Sequence, residues 1–281
     1  MHVITESDEI ARYAGCAFVP TMGALHEGHL SLIRRAAELA GDGANRASVL
    51  VSIFVNPTQF APGEDFERYP RQLERDIELA GEAGADVVFA PEEATVYPPD
   101  TPVDAPPLPP VATEPGLEDA QRPGHFEGVC QVVARLFDLV QPRWAVFGEK
   151  DYQQLLVIRA MVEQNPSRWG ELEIVGERTI REPDGLAMSS RNAYLTAEQR
   201  QRALGLSKAL QTAHAAQHPE TAEEMMAGTL EAHELNVEYA VVRHAETLRP
   251  VSSLSLPSRA LIAARVDDVR LVDNARMVRW T

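Results

Sequence analysis

The sequence predicts an α/β fold: an open, mostly parallel sheet with helices on both faces, followed by a smaller α+β domain. Short apolar runs rich in β-branched residues recur through the first half of the chain, and amphipathic helical patterns separate them. Strands and helices that alternate in this way are typical of parallel sheets. After about residue 180 the order changes to helices followed by strands, which is typical of a separate α+β domain.

The predicted strands of the first domain are short and apolar on both faces. They are Cys16–Val19, Ala47–Val55, Ala85–Ala90 and Trp144–Phe147. Such strands are buried on both faces in a parallel sheet. Ligands of these sheets bind beyond the carboxyl ends of the strands, so we expect functional residues at the strand-to-helix turns.

Amphipathic spacing predicts the helices of the first domain. They are His29–Ala40, Tyr69–Gly81 and Phe126–Val140. The segment Tyr97–Pro123 holds nine of the twenty prolines and is predicted to be a long loop or lid. Proline and charge interrupt the pattern near Thr179–Asp184, which predicts domains of residues 1–179 and 180–281.

In the second domain, helix-start patterns precede strand-like runs. Thr196–Gln199 is a capping-box pattern that predicts a helix running to Ala215, and Thr221–Glu224 predicts a second helix start. The strand-like runs are Val237–Arg243, Arg259–Val266 and Val269–Val272.

The charge balance restricts the possible partners. Acidic residues number 42 against 26 basic ones, which gives a formal net charge of −16. A surface this acidic argues against binding to nucleic acid or anionic lipid, because phosphate groups require a basic surface. An anionic ligand therefore needs a local positive site. Lysine occurs only at Lys150 and Lys208, so Lys150 at a predicted turn is a candidate for such a site.

Cysteine usage and hydropathy predict the compartment. Cys16 and Cys130 lie far apart and fit neither a disulfide framework nor a metal-ligand spacing, which indicates a reducing interior. The sequence shows no signal-peptide pattern and no apolar run near the roughly 20 residues that span a bilayer. We therefore expect a cytoplasmic protein without a membrane partner.

The segment Pro20–His29, PTMGALHEGH, carries the strongest functional signal. It follows a predicted strand and leads into an amphipathic helix, so His26 and His29 fall in the first helical turn. Helix N-termini present free amide hydrogens and a partial positive charge that attract phosphate, and two imidazoles add hydrogen-bond donors. Gly23 and Gly28 allow a large ligand to approach the backbone closely.

Two alternatives for this segment stay open at the level of residue types. The first is a surface turn whose histidines have no function. The second is a zinc site with His26 and His29 as two ligands, but a third and a fourth ligand have no evident source. We therefore expect no metal on these histidines.

Three further segments place functional side chains at turns. In Phe147–Gln154, Lys150 can bind phosphate, and Asp151 can bind Mg²⁺ or a ribose hydroxyl. The alternative is that this segment is only a charged helix cap. Gly185–Asn192, GLAMSSRN, offers hydroxyl and guanidinium donors to a triphosphate, or caps the next helix. Gln59, after a predicted strand, can bind a small polar substrate through its amide.

Other nucleotide and hydrolase motifs are absent from the sequence. It contains no G-x-G-x-x-G after a strand, no G-x-x-x-x-G-K-[ST] and no G-x-S-x-G. Arg122, Gly124 and His125 border the proline-rich segment and can close over a pocket. The residue types alone therefore indicate a nucleotide site built from His-x-Gly-His and a distal Met-Ser-Ser-Arg turn.

Five segments in order resemble the pantothenate synthetase (pantoate–β-alanine ligase) family. They are Pro20–His29, Val51–Phe60, Arg122–Val129, Phe147–Gln154 and Gly185–Leu195. HEGH and MSSR are similar to the HIGH and KMSKS signatures of the wider nucleotidyltransferase and class I aminoacyl-tRNA synthetase superfamily. The lysines of KMSKS are absent here, which fits this family and argues against a tRNA synthetase. The last third of the chain is similar to the family only in length and element order.

The resemblance implies a Rossmann-like domain that binds nucleotide and pantoate, a C-terminal lid domain, and an AMP-forming carbon–nitrogen ligase. Pantoate would attack the α-phosphorus of ATP, and β-alanine would then attack the pantoyl adenylate, which gives pantothenate, AMP and pyrophosphate. His29 is implied as the proton donor, with His26 and Lys150 acting on the phosphates. Gln59 and Gln154 would hold pantoate, and Gln59 would also lie near β-alanine.

The resemblance also assigns a set of ATP-binding residues. They are Met22, Gly23, Ala24, Leu25, His26, Glu27, Gly28, His29, Gly148, Glu149, Lys150, Asp151, Ile180, Met188, Ser189, Ser190 and Arg191. Mg²⁺ would bridge the phosphates largely through ATP oxygens and water, and a homodimer is expected. The alternatives are a related nucleotidyltransferase that releases a nucleotide-linked product, and a nucleotide sensor without turnover.

Overall fold

The computed structural model describes residues 1–60 and 64–277. The chain divides into two compact units. The first unit comprises Met1–Glu149 and Gln154–Arg178, and the second comprises Lys150–Gln153 and the described residues from Thr179 onward. No helix in residues 1–60 and 64–277 combines the length and hydropathy that crossing a membrane requires.

The first unit contains a six-stranded sheet in which every neighbouring pair is parallel. Its strands are β1 (His2–Ile4), β2 (Ala17–Thr21), β3 (Val49–Ile53), β4 (Val87–Phe89), β5 (Trp144–Gly148) and β6 (Glu173–Glu177). Their spatial order is β1-β4-β3-β2-β5-β6. From β2 onward the chain first winds outward through β3 and β4, then returns to the other side of β2 for β5 and β6. This order confirms the predicted open parallel sheet.

Helices cover both faces of this sheet, as predicted. The α-helices are α1 (Glu27–Ala40), α2 (Leu73–Glu82), α3 (Glu93–Val96), α4 (Glu118–Gln121), α5 (His125–Val140), α6 (Tyr152–Glu163) and α7 (Pro166–Trp169). Val19 of β2 packs with Ile33 of α1 on one face. Phe18, which points to the other face, lies edge-on to Phe137 of α5 with ring centroids 6.4 Å apart. Alternate residues of β2 thus pack against the helices on opposite faces of the sheet.

The second unit is a smaller α+β arrangement, as predicted. Its elements are α8 (Ala197–Ala203), α9 (Gly205–Ala213), α10 (Pro219–Ala232), β7 (Asn236–His244), β8 (Ser258–Val266) and β9 (Val269–Arg276). The strands form an antiparallel sheet in the order β7-β8-β9. Leu210 of α9, Met226 of α10 and Ile262 of β8 belong to one buried cluster between helices and sheet. Because one face of the sheet is covered by helices, the cluster is the core of this unit.

Several element boundaries differ from the sequence predictions for local reasons. The helix predicted to run unbroken to Ala215 is interrupted at Leu204, and at Gly205 a Cβ atom would lie 2.7 Å from the Cβ of His233. The helix predicted to start at Thr221 starts at Pro219, because proline suits the first helical position.

The first unit shows similar differences. Helix α2 starts at Leu73 rather than Tyr69, beyond Pro70. Strands β1 and β6 were not predicted, because both lie at sheet edges, where half-exposed residues give no continuous apolar run. The segment Tyr97–Pro123 is irregular apart from single helical turns at Pro110–Ala112 and Glu118–Gln121, which confirms the predicted loop.

Candidate functional site

Strands β2 and β5 are parallel neighbours in the sheet of the first unit, so their carboxyl ends lie at the same edge. Ala17 is paired with Trp144 and Phe18 with Ala145, and the chain connections diverge to opposite sides of this pair. This is the topological switch point of a doubly wound sheet, where ligands bind. The turns that leave these two strands are the ones in which the sequence predicts functional residues.

The turn after β2 has an unusual backbone. The hydroxyl of Thr21 donates to the carbonyl of Ser52 at 2.8 Å and accepts from the amide of Gly23 at 3.2 Å. Gly23 and Ala24 then adopt left-handed conformations, with φ of +82° and +52°. Alanine rarely adopts this conformation, because its Cβ atom then lies too close to the following carbonyl oxygen. The surrounding contacts must therefore hold the turn in place.

His26 and His29 together form the N-terminal cap of α1. The Nδ1 atom of His26 accepts from the amide of Gly28 at 3.1 Å, and the Nδ1 atom of His29 accepts from the amide of His26 at 3.4 Å. The ring centroids lie 4.1 Å apart. Because each Nδ1 accepts, a neutral ring carries its proton on Nε2. The cap therefore gives both imidazoles an Nε2–H donor.

The structure corrects one expectation for this turn, namely that its amides are free to bind phosphate. The amides of Ala24 and Leu25 donate to the carboxylate of Asp76 on α2, at 2.9 and 2.8 Å. Those of Gly28 and His29 bond to the N-cap residue. Sequence reasoning missed Asp76, whose only signal is an acidic residue on the buried face of an amphipathic helix.

Glu27, in the same turn, is an exposed carboxylate paired with Arg34. The hydrogen bond from Arg34 lowers the pKa of the Glu27 carboxyl, which keeps it ionised.

Within residues 1–60 and 64–277, no group of three or more His, Cys, Asp or Glu side chains is placed to hold a metal ion.

Gln59 lies next to the same turn. Its side-chain amide donates to the Sδ atom of Met22 at 2.8 Å, so the first unit brings a residue predicted for pantoate beside one predicted for ATP. Asn56, which is 1% exposed, holds this corner together. Its Nδ2 donates to the carbonyl of Gly128 at 3.2 Å and to Oε1 of Gln59 at 3.4 Å, and its Oδ1 accepts from the Tyr97 hydroxyl at 2.8 Å. Its signal in the sequence is a polar side chain directly after a strand.

Arg122 and His125 support the backbone of Gln59. The Nε2 atom of His125 accepts from Arg122 at 2.9 Å, so Nδ1 carries the proton and donates to the carbonyl of Gln59 at 3.0 Å. Arg122 in turn donates twice to Glu64, at 2.7 Å each. Burial and the Arg122 charge lower the pKa of His125 to about 4. His125 is therefore neutral at physiological pH.

The turn after β5 contains the next predicted residues of the first unit. Gly148 ends the strand, and the amide of the buried Glu149 donates to the carbonyl of Glu177 at 2.7 Å. Gln154 lies half-buried in the first turn of α6. Gln154 and Gln59, the two residues predicted for pantoate, thus follow strands β5 and β3, which flank β2 in the sheet.

Lys150 and Asp151 belong to the second unit. The Nζ atom of Lys150 lies 3.6 Å from Oδ1 of Asp151. The carbonyl of Lys150 accepts from Nδ2 of Asn274 at 2.8 Å, and Oδ1 of Asn274 accepts from Arg259 at 2.6 Å. The guanidinium of Arg259 stacks on the ring of Tyr152 at 3.7 Å. Strands β8 and β9 thus anchor the backbone of the lysine.

A hairpin in the second unit brings the distal predicted residues together. Arg181 pairs with Ala187 as an antiparallel bridge, and the amide of Met188 donates to the carbonyl of Ile180 at 2.9 Å. The hydroxyl of Ser189 then accepts from the amide of Arg191 at 3.3 Å and caps a 3₁₀ turn over Ser190–Tyr194. The remaining predicted ATP residues, Ile180 and Met188–Arg191, are therefore contiguous in space.

A doubly wound parallel sheet with a polar turn at its switch point is the architecture of the nucleotide-binding α/β proteins. Comparison with known proteins narrows this class. A sequence model of the pantoate-beta-alanine ligase family matches residues 2–276. The chain belongs to this family.

Curated relatives agree with the family match over nearly the whole chain. The pantothenate synthetase of Leptothrix cholodnii is 49% identical over 275 residues, which is 94% of this chain and 93% of the relative. That of Rubrobacter xylanophilus is 49% identical over 279 residues, covering 92% of this chain and 90% of the relative.

Solved structures show the same similarity in three dimensions. The pantothenate synthetase of Thermus thermophilus has a TM-score of 0.91 at 42% identity, and the match covers 99% of this chain and 100% of that one. The pantoate-beta-alanine ligase of Francisella tularensis, complexed with beta-gamma ATP and beta-alanine, has a TM-score of 0.79 at 31% identity, covering 99% and 98%.

Proposed function

We propose that this protein condenses (R)-pantoate with β-alanine in an ATP-dependent reaction that yields pantothenate, AMP and pyrophosphate through pantoyl adenylate. The observation that carries the proposal is the pair of imidazoles that cap α1 at the switch point of the sheet, in a chain of the pantoate–β-alanine ligase family. The Francisella tularensis relative was solved with an ATP ligand and beta-alanine, which supports the two substrates.

In the first unit, the turn from Met22 to His29 is proposed to bind ATP. Adenylyl transfer requires positioning of the reactants and stabilisation of charge that develops on the phosphates. The Nε2–H groups of His26 and His29 are donors of the kind that stabilise such charge. We assign His29 as the proton donor and His26 as its neighbour on the phosphates, while Gly148 and Glu149 at the end of β5 also contact ATP.

In the second unit, cationic and hydroxyl groups are proposed to bind ATP. Lys150 supplies an ammonium charge for phosphate, next to Asp151. Ile180 contacts the adenine through its backbone, and Met188–Arg191 donate hydroxyl and guanidinium hydrogens to the phosphates. The spatial contiguity of Ile180 and Met188 within the hairpin supports this assignment.

Gln59 and Gln154 are proposed to hold pantoate through its hydroxyls and carboxylate. The contact of Gln59 with Met22 supports this, because the pantoate carboxylate must reach the α-phosphorus of ATP. Gln59 is also proposed to lie near β-alanine. The neutral His125 and the ion pair of Arg122 with Glu64 keep the Gln59 backbone in place without adding a titrating charge.

We further propose that Mg²⁺ enters with ATP, held largely by phosphate oxygens and water. Mg²⁺ prefers oxygen ligands and retains several waters in phosphate-bound sites. Asp151 carries an exposed carboxylate of the matching type beside Lys150. The ion would reduce the negative charge of the triphosphate before the carboxylate of pantoate approaches it.

A cytoplasmic location and a homodimeric state complete the proposal. Both cysteines are buried free thiols, which suits a reducing compartment. Family membership supports the homodimer. Sedimentation equilibrium should give twice the chain mass of 30.9 kDa, and a mass of one chain would contradict the dimer.

The decisive experiment measures AMP release with each substrate left out in turn. We expect release at full rate only when ATP, pantoate and β-alanine are present together, and pantothenate as the amide product in mass spectrometry. Release of AMP that does not depend on pantoate would contradict the substrate assignment. Pyrophosphate formation with a stable nucleotide-linked product would instead support a nucleotidyltransferase, and ATP binding without turnover a sensor.

A further inference from the structure

The carboxylate of Asp76 lies directly behind the histidine-bearing turn. Asp76 is 1% exposed, and the proposed reaction assigns it no contact with a substrate. Its Oδ2 accepts from the amide of Ala24 at 2.9 Å and its Oδ1 from the amide of Leu25 at 2.8 Å. Both oxygens are thus used on consecutive peptide groups. A buried carboxylate bonded in this way holds a particular backbone conformation rather than merely filling space.

That conformation is one the turn would not adopt readily by itself. Gly23 and Ala24 are both left-handed, which is unfavourable for Ala24. Successive amides in such a turn point the same way and form a concave anion site. In this protein the anion in that site is the side chain of Asp76.

Close approach makes the fit specific. A Cβ atom on Gly23 would lie 2.8 Å from Oδ2 of Asp76 and 3.1 Å from Cγ2 of Ile53. Glycine is therefore required at position 23 both for its positive φ and for the space that Asp76 occupies. The residue after the second bonded amide is His26, so the carboxylate determines where the histidine cap begins.

We propose that Asp76 is a positioning residue for the ligase reaction, which orients His26 and His29 by holding the amides of Ala24 and Leu25. The inference rests on the proposed function. Since these amides are occupied by Asp76, they do not bind the triphosphate. The phosphates are recognised at this turn by the imidazole Nε2–H groups, and their placement depends on a carboxylate that never touches the substrate.

The test is a double-mutant cycle of Asp76→Asn with His29→Ala. In Asp76→Asn an amide N–H₂ faces a backbone donor, so one of the two bonds is lost while the volume is kept. We expect the single variant to lower kcat about 10²-fold, the scale for a small misplacement of a catalytic group, with the KM for pantoate nearly unchanged. In the His29→Ala background the same substitution should cost much less, because the group that it misplaces is already gone.

Asp86→Asn is the matched control. The Oδ2 atom of Asp86 also accepts a backbone amide, that of Val49 at 2.8 Å, but at the amino ends of β3 and β4, the opposite edge of the sheet. We expect its kcat to stay at the native value. Equal losses from Asp76→Asn in both backgrounds, or a native kcat in the single variant, would overturn the proposal.

Two further measurements cover the remaining cases. If Asp76→Asn does not fold, Asp76→Ser replaces it in the cycle. Independently of any variant, we expect the amides of Ala24 and Leu25 to exchange slowly with solvent in the native protein. Rapid exchange of these amides would overturn the proposal. Failure of the proposed function is distinguishable, because the native protein would then release no pyrophosphate from ATP and pantoate at all.

Discussion

At the residue scale, the cap of α1 determines the chemistry of His26 and His29. Each Nδ1 atom accepts a backbone amide, so the helix start itself selects the tautomer with the proton on Nε2. A cap in this turn must accept a backbone amide and also present a hydrogen-bond donor to a ligand, and the usual hydroxyl caps do both through a single oxygen atom. Histidine meets both requirements, since its two nitrogens face different partners.

The first prediction concerns His29, the proposed proton donor. We expect His29→Ala to lower the rate of adenylation by roughly 10²–10³-fold, the usual scale for loss of one transition-state donor. Single-turnover measurement of pyrophosphate release would give this rate. His218→Ala, at an exposed histidine that makes no side-chain cap bond, is the control and should keep the native rate. Near-native adenylation by a folded His29→Ala protein would exclude this residue from the mechanism.

The second prediction uses the lowered pKa of His125. The pKa falls from 6.5 to about 4 on folding, so between these values the unfolded chain binds more protons than the folded one. Stability must therefore decrease as the pH falls from about 6.5 towards 4, and this group alone contributes about 2 kcal/mol between pH 7 and pH 5. Arg122 opposes protonation of the ring, while Glu64 and Glu118 favour it.

Urea unfolding of His125→Gln would check this prediction. Glutamine offers a donor and an acceptor to the same partners but does not titrate. We expect the native protein to lose about 2 kcal/mol more than His125→Gln between pH 7 and pH 5. His218→Gln should retain the native pH dependence. If His125→Gln lost as much stability as the native protein, His125 would not be the titrating group.

At the element scale, α5 packs against the 3₁₀ turn Pro57–Gln59, which contains Gln59, the glutamine proposed to bind pantoate. The contact is tight at Gly128, where a Cβ atom would lie 2.3 Å from the carbonyl oxygen of Thr58. The amide of Asn56 bonds to the carbonyl of Gly128 across this contact. The helix therefore sets the position of the turn by the close backbone contact at Gly128 and by the Asn56 hydrogen bond beside it.

The third prediction follows from this approach. Gly128→Ala must move the 57–59 turn or α5, and we expect it to destabilise the protein by about 1–3 kcal/mol, as overpacking does, and to raise the KM for pantoate. Gly228→Ala is the control, because a Cβ on this glycine in α10 meets nothing within 4 Å. It should stabilise by about 0.5–1 kcal/mol, since alanine is the better helix former. Urea midpoints and pantoate titrations check both, and a stable Gly128→Ala protein with native KM would contradict the argument.

The fourth prediction concerns strands β8 and β9, which carry Arg259 and Asn274. Asn274→Ala removes the donor to the Lys150 carbonyl and the acceptor of the buried Arg259. We expect a loss of about 1–3 kcal/mol in stability from the unsatisfied groups, together with a lower rate of adenylation. Asn236→Ala, at an exposed position in β7, should change neither. A native adenylation rate in Asn274→Ala would show that this anchor does not serve Lys150.

At the scale of the whole molecule, charge restricts the ligands. A net charge of −16 repels nucleic acids and anionic surfaces, yet the proposed substrates ATP and pantoate are anions. Local groups must therefore offset the global field. The imidazole pair in the first unit, and Lys150 and Arg191 in the second, are the groups proposed to do so.

The fifth prediction tests this balance. We expect no mobility shift of duplex DNA or tRNA by the protein at about 50 mM salt, where phosphate contacts are strong. Binding of a fluorescent ATP analogue by the same sample is the positive control. A salt-sensitive shift would reveal a basic surface that the charge balance does not indicate.

The sequence by itself determined the class of the fold and predicted the site segments. Continuous apolar runs and helical periodicity are local properties, so β2, β3 and β5, together with α1 and α5, were predicted close to their observed positions. The histidine pair was recognisable because a strand-to-helix turn constrains where a ligand binds. The family resemblance rested on five short segments whose order and spacing are also readable from one chain.

Only the tertiary structure decided what fixes these segments in space. Asp76 lies 51 and 52 positions from the amides that it holds, and Asn274 lies 124 positions from Lys150. No local sequence pattern connects such residues. The partner contributes a backbone amide or carbonyl, which nearly every residue type has, so its side-chain type does not reveal the hydrogen bond. Edge strands β1 and β6 were missed for a related reason, since pairing with a neighbour rather than hydrophobicity makes them strands. The residues proposed to act on the substrates could be inferred from their side-chain types. The residues that position them, such as Asp76 and Asn274, depend on which parts of the chain folding brings together.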